Sequence, residues 1–136
     1  MIHKKLHEFT ELGITVEKDG KNDFFKKNGK ASEYVTLDEV LDKVREPLHK
    51  LGVLILQTPE VEGLRTRLID TTDGTEVSGL MPWVGADNAQ KMLACTTYYR
   101  RGSLVSMLGL QAPDDDGNTA SAPTTNKTNT TNQPPF

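Results

Sequence analysis

Residues 53–83, VLILQTPEVEGLRTRLIDTTDGTEVSGLMPW, contain the pattern that decides the fold. The first run is almost wholly apolar, and the two later runs alternate between apolar and polar side chains, which is typical of strands with one covered face. Short turns separate the runs, and the second turn contains Asp73-Gly74, a strong hairpin signal. Connections this short join antiparallel neighbours, so the stretch predicts an antiparallel meander. The predicted strands are residues 53–58, 64–71 and 76–83.

The clearest helical pattern precedes the meander, over residues 37–51, where the apolar residues form one stripe. Thr36 and Glu39 have the spacing of a capping box, and Gly52 stands where a C-terminal cap belongs. Pro47 lies inside the pattern and is expected to kink the helix.

Two further helical patterns lie at either end of the folded part. Residues 2–12 predict a short amphipathic helix, and residues 86–110 predict a longer one. Between the first two helices, residues 14–16 are expected to open a strand and residues 18–30 to form a polar, basic loop. This order predicts an α+β domain in which helices pack on one face of the sheet. Four residues are expected to share one side of the longer helix: Leu93, Thr97, Leu104 and Leu108.

Length and composition bound the class of protein. The chain has 136 residues, one cysteine, and no apolar run long enough for a membrane helix or a secretion signal. We therefore expect a cytoplasmic protein with no membrane partner and one domain over residues 1–112. Residues 113–136 begin with acids and continue with Thr, Asn and Pro, which predicts a disordered tail.

The sequence contains no motif of catalysis. It has neither a glycine-rich phosphate loop nor a nucleophile elbow. His3 and His7 lack an obvious third metal ligand, and Cys95 has no histidine nearby, so we expect a solvated helix face and a buried thiol. The three aspartates at 114–116 are expected to keep the tail solvated rather than to bind a cation. We predict a protein that is not an enzyme and that needs no cofactor.

Aromatic and basic residues cluster in a way that points to nucleic acid. Tyr98-Tyr99-Arg100-Arg101 puts two rings beside two guanidinium groups within a helical pattern. Single-stranded nucleic acid is bound by this chemistry, because cations neutralise phosphates and flat rings stack on unpaired bases. The other candidates are Lys26, Lys27 and Lys30 beside Phe24 and Phe25, Arg65 and Arg67 on one face of a predicted strand, and Lys91.

These features also have an ordinary structural interpretation. One of the two adjacent tyrosines is expected to turn into the core, and the arginines have surplus acids at residues 31–63 with which to pair. The net charge of −3 argues weakly against nucleic acid. Two basic islands, residues 1–30 and 85–110, matter more than this total, because binding responds to the local field.

With these motifs the sequence resembles the ERF (essential recombination function) family of phage single-strand DNA annealing proteins, over roughly residues 24–117. The first part of the resemblance begins at Phe24-Phe25-Lys26-Lys27, continues from Tyr34 through the helix that contains Pro47, and ends at Leu56-Gln57. The chain departs from the family pattern at Leu93-Ala94, where Gly-Ser is expected, and at Gly102, where a tyrosine is expected. The second part of the resemblance comprises Gln90, Thr97, Tyr98, Arg100, Arg101, Leu104, Leu108, Gly109 and the Asp-rich end Asp114-Asp115-Asp116-Gly117-Asn118.

The resemblance implies a β-β-β-α core similar to that of ring-forming recombination annealing proteins, and a homo-oligomer in the form of a ring or filament. It implies ATP-independent binding of single-stranded DNA and annealing of complementary strands in phage recombination, in the cytoplasm of a bacterial host. The partners it implies are a host single-strand binding protein or a phage exonuclease. The candidate DNA-binding residues are Lys26, Lys27, Lys30, Tyr34, Arg65, Arg67, Lys91, Tyr98, Tyr99, Arg100 and Arg101.

Two questions stay open on the sequence. The departures from the family pattern also fit a non-annealing, ERF-like module that binds a recombination or replication protein. Pro134-Pro135-Phe136 is similar to the endings by which bacterial single-strand binding proteins recruit partners, and the alternative is an inert, solubilising tail.

Overall fold

The computed structural model describes residues 1–27, 30–85 and 87–113, and over residues 22–27 and 30–32 it describes the backbone alone. Apart from Pro113, the predicted tail, with its aspartates and its Pro-Pro-Phe motif, lies outside the described residues, so the domain boundary at 112 stays a prediction. The described chain is α+β, as expected. Its elements are α1 (Ile2–Glu11), β1 (Gly20–Lys27), β2 (Lys30–Tyr34), α2 (Leu37–Leu51), β3 (Val53–Pro59), β4 (Gly63–Asp70), β5 (Glu76–Pro82) and α3 (Ala89–Leu108).

The predicted meander is confirmed. Strands β3, β4 and β5 pair antiparallel in that order, with Leu56 opposite Arg67. Along β4 the side chains of Leu64, Thr66 and Leu68 are buried, and those between them face the other side. The helices pack on the face with the buried side chains. Among the described elements, none covers the outer face of this sheet.

The segment predicted as a polar loop, residues 18–30, is instead largely a β-hairpin. Strands β1 and β2 pair antiparallel from Gly20 opposite Tyr34 to Lys27 opposite Lys30, and the register shifts between residues 22 and 27. The prediction was wrong because GKNDFFKK has neither apolar alternation nor β-branched residues, so its strand conformation depends on the partner strand. The strand expected at residues 14–16 is reduced to an isolated bridge between Thr15 and Gln111.

Helix α2 has the bounds and both caps that its sequence predicts. The backbone N–H of Glu39 donates to Thr36 Oγ1 at 3.1 Å, and Gly52 closes the helix in the left-handed conformation with φ 78°. Thr36 also donates from its backbone N–H and its hydroxyl to the carboxylate of Asp19, which ties the start of α2 to the entry of β1. Pro47 lies inside the helix.

Helix α3 differs from its prediction in what it buries. Leu104 and Leu108 are buried as expected, but Leu93 is 70% exposed and Thr97 is also exposed. The buried residues of α3 all follow Gly102, so the first half of this twenty-residue helix extends past the core. Apolar spacing shows which way a helical side chain faces, but not how far the packed surface reaches, and this explains the error. No helix in the described part of the chain is long and apolar enough to cross a membrane.

An ion pair anchors α1 to the sheet. Lys5 Nζ lies 2.6 Å from Asp70 Oδ1, and Asp70, at the end of β4, is 1% exposed. The same oxygen accepts the backbone N–H of Thr72 at 2.8 Å. The ammonium of Lys5 first, and the Thr72 N–H after it, hold the pKa of the Asp70 carboxyl well below its usual range.

A candidate nucleic-acid interface on the third helix

Arg101 lies between two tyrosine rings. Its guanidinium carbon is 4.9 Å from the ring centroid of Tyr98, which precedes it by about one turn of α3, and 5.2 Å from that of Tyr34, at the end of β2. Tyr98 is 55% exposed and Tyr34 is 38% exposed. The three side chains form one cation–π arrangement that is open to solvent, which we call the ring surface.

The position of Tyr34 depends on Gly20, a residue that no sequence pattern singles out. Gly20 is buried directly opposite Tyr34 in the hairpin. A Cβ at Gly20 would lie 2.6 Å from the Tyr34 ring and 2.9 Å from the methyl group of Thr36. Only glycine leaves the ring in its place beside Arg101.

An apolar cavity of about 230 Å³ lies next to the ring surface. Gly102 borders it at the point where α3 passes β5, and a Cβ there would be 3.4 Å from the Met81 methyl carbon. The other lining residues are Val16, Tyr34, Val35, Arg101, Val105, Leu110 and Ala112.

Tyr99 is the tyrosine that turns inward. Its ring stacks on Trp83 with centroids 5.7 Å apart and an interplanar angle of 17°, and its hydroxyl donates to the Pro82 carbonyl at 2.6 Å. Burial, and then a hydrogen bond with the Cys95 thiol, raise the pKa of Tyr99. Cys95 itself is half-buried rather than buried. Tyr99 therefore helps to hold α3 against the end of β5, and a direct role in DNA binding stays a prediction.

Arg100 faces the opposite flank of α3. Its Nε donates to Gln57 Oε1 at 3.3 Å, and Gln57 Nε2 donates to the Arg100 carbonyl at 3.0 Å. Gln57 lies on β3 and is also bonded to Thr66 on β4. Successive helical residues point about 100° apart, so the two neighbouring arginines serve different surfaces.

Arg65 and Arg67 lie on the outer face of the sheet, away from α3, and each has an acidic partner. Arg65 Nε is 2.9 Å from Glu60, and Arg67 makes a two-pronged contact with Glu76 at 2.7 and 3.0 Å. The Arg67 guanidinium lowers the pKa of Glu76. Lys91, exposed at the start of α3, pairs with Asp87 at 3.1 Å.

The three candidate lysines of the hairpin lie on its strands, Lys26 and Lys27 on β1 and Lys30 on β2. Their side chains lie outside the described part of the structure, as do those of Phe24 and Phe25. The backbone places these residues toward the end of the paired strands where Lys27 lies opposite Lys30, and Tyr34 at the other end. The hairpin therefore links the lysine group with the ring surface.

Residues 1–27, 30–85 and 87–113 contain no group of three or more His, Cys, Asp or Glu side chains arranged to hold a metal ion. His3 and His7 are both exposed on α1, in agreement with a solvated helix face.

Comparison with known proteins identifies a family. A family model described as the ERF superfamily matches residues 2–136, and the chain belongs to this superfamily. Membership indicates a function in recombination and annealing. No curated protein and no solved structure matches the chain.

Proposed function

We propose that this member of the ERF superfamily binds single-stranded DNA on the ring surface and anneals complementary strands as a homo-oligomer, without hydrolysing a nucleotide. The observation that carries the proposal is the Arg101 guanidinium held between the exposed rings of Tyr34 and Tyr98. The guanidinium cation and the two aromatic rings are in contact, which is the combination that binds single-stranded nucleic acid.

The chemistry of the ring surface suits unpaired nucleotides. Arg101 contacts both tyrosine rings, and Tyr98, 55% exposed, presents most of its ring to solvent, where a base can stack. Stacking on such a ring contributes about 1–3 kcal/mol per base. Among the described side chains, no carboxylate pairs with Arg101, so its charge is available to a phosphate.

One protomer offers few cations, and its net charge is −3. Individual phosphate contacts weaken steeply with salt, so a single copy would hold DNA poorly. Side-by-side copies would repeat the ring surface along one strand and turn weak contacts into avidity. Oligomerisation is therefore part of the proposed function.

Annealing on such a surface needs no catalytic group. Bases that stack on the tyrosine rings are separated from their neighbours in the strand. Arginine and lysine neutralise the phosphate charge, and base pairing supplies the free energy of annealing. The protein lowers the repulsion between two strands and raises their local concentration.

Arg101→Gln tests the ring surface. We expect the affinity for oligo-dT to fall about tenfold or more, and the slope of log K against log salt to flatten by about 0.7, because one phosphate contact is lost. Fluorescence anisotropy at several salt concentrations measures both quantities. The matched control is Lys50→Gln, which removes an exposed cation from α2. Wild-type affinity in Arg101→Gln, with a wild-type salt slope, would contradict the assignment.

A second candidate function, a non-annealing interaction module, is favoured by the uncovered first half of α3, where Leu93 and Ala94 are exposed. The two functions predict different oligomeric states and different annealing rates. Light scattering measures the oligomeric state, and fluorescent complementary oligonucleotides report the annealing rate. A monomer that leaves the annealing rate unchanged supports the module, and an oligomer that accelerates annealing supports the first proposal.

A further inference from the structure

A second basic surface lies on the flank of α3 that faces away from Tyr34. It is a groove of about 250 Å³ between α2, β3 and α3. Arg45 and His49, one turn apart on α2, border one side, and Arg100 borders the other. We call it the basic groove. The remaining lining residues are Leu41, Leu48, Val53, Leu54, Ile55 and Gln57.

Among the side chains that the structure describes, none that lines the basic groove is acidic, although the chain carries 19 acids against 16 lysines and arginines. Arg100 is half-buried, and its side-chain partner is the neutral carboxamide of Gln57. Holding a guanidinium partly out of water without an opposite charge is unfavourable, so the site favours an anionic ligand.

The geometry of Arg100 also fits an incoming oxyanion. Gln57 engages the Nε atom, which fixes the plane of the guanidinium and leaves its two terminal nitrogens to donate elsewhere. Terminal guanidinium nitrogens suit phosphate oxygens. Ile55, half-buried on the face of β3 that the helices cover, adds apolar surface to the groove on which a sugar or base can rest.

We propose that the basic groove is a second phosphate-binding site, which holds the sugar–phosphate backbone of an incoming single strand while the ring surface holds the first strand. The proposal rests on the proposed function, because annealing brings two strands to one protein. Helix α3 separates the two surfaces, with Arg101 toward β2 and Arg100 toward β3. Nucleic acid is favoured over an acidic protein segment as the ligand of the basic groove, because Arg101, the residue next to Arg100 on α3, belongs to the ring surface.

Capture of a second strand tests the basic groove directly. The full chain is loaded on a tethered oligo-dT long enough to fill every ring surface, and the binding of a fluorescent, non-complementary oligo-dT is then measured at several salt concentrations. The variant is Arg45→Gln/Arg100→Gln. The control, Lys4→Gln/Lys50→Gln, removes the same number of charges from exposed helix positions outside the groove.

We expect the groove variant to load on the first strand within about twofold of the control and to capture the second strand about tenfold or more weakly. The salt slope of the second step should flatten by about 1.4, for two lost phosphate contacts on a single strand. The annealing rate of complementary strands should fall in parallel. Arg100→Gln also removes the contact with Gln57, so Arg45→Gln alone serves as a second variant at an exposed position. It should flatten the salt slope of the second step by about 0.7.

Second-strand capture at the control level, with an unchanged salt slope, would overturn the inference and leave the groove to another ligand such as an acidic protein segment. Loss of first-strand loading in the groove variant would also overturn it, since the groove would then belong to the first site. The ring surface has its own readout. Should Arg101→Gln load the first strand normally while the groove variant loses capture, the ring-surface assignment fails and the groove stands.

Discussion

Tyr98 and Tyr99 show how two adjacent residues of one type take different roles. Tyr98 is exposed beside Arg101, and Tyr99 is stacked on Trp83 with its hydroxyl bonded to the chain. The sequence predicts that one of them turns inward but does not identify which. The choice is made by the segment after β5, because Trp83 is fixed there by a hydrogen bond from its indole N–H to the Glu60 carbonyl.

This division predicts opposite phenotypes for the two tyrosines. Tyr98→Ala should weaken oligo-dT binding about tenfold, since one stacking ring is lost, and should leave the urea midpoint unchanged. Tyr99→Phe should keep DNA affinity and lower the urea midpoint, because the Pro82 carbonyl loses its donor. Anisotropy and urea unfolding are measured on both proteins. A Tyr99→Phe variant that loses affinity at full stability would show that Tyr99 contacts DNA.

At the scale of elements, local sequence signals predicted the meander and the second helix. The meander was predictable from alternation and a turn dipeptide, and α2 from its capping box and terminal glycine. The hairpin of β1 and β2 was not, because its residues carry no periodic apolar pattern and its pairing is set by contacts across the strands. Tyr34 therefore entered the candidate site only through a family resemblance, and Gly20 was missed.

The hairpin predicts a sharp effect at Gly20. Gly20→Ala should displace the Tyr34 ring from its contact with Arg101, because the new methyl carbon would lie 2.6 Å from the ring. We expect oligo-dT affinity to fall about as far as in a Tyr34→Ala variant, roughly tenfold. The matched control is Gly79→Ala, where a Cβ would meet the Met107 sulfur at an ordinary 3.5 Å. Equal affinity for both glycine variants and wild type would show that Tyr34 does not need this position.

Across the whole molecule, the sequence located the basic islands but not the cations that remain available. Arg67 reaches Glu76 diagonally across β4 and β5, and Arg65 reaches Glu60 beyond the turn, so both charges are matched locally. Arg45 and Arg101 have no acidic partner among the described side chains. Strand register decides which arginine meets an acidic partner, and composition alone does not show this pairing.

Stability of the whole domain depends on the charge state of Asp70. Its carboxylate joins α1 to the end of β4, and Lys5 holds its pKa below the usual range. A carboxyl group whose pKa is lowered by folding stabilises the folded state above its unfolded pKa, near 3.9. That stabilisation is lost as the pH falls from the unfolded toward the folded pKa, because the unfolded chain then binds the proton first.

Asp70→Asn should therefore lower the urea midpoint at pH 7, because Lys5 is left without its charged partner, while the dependence on urea concentration stays unchanged. The difference from wild type should shrink as the pH falls below about 4, where the wild-type advantage is lost. Circular dichroism during urea titration at a series of pH values measures both. Asp42→Asn, at an exposed carboxylate on α2, should behave as wild type throughout. If wild type and Asp70→Asn kept a constant difference down to pH values near 2, the Lys5–Asp70 pair would not be what joins α1 to the sheet.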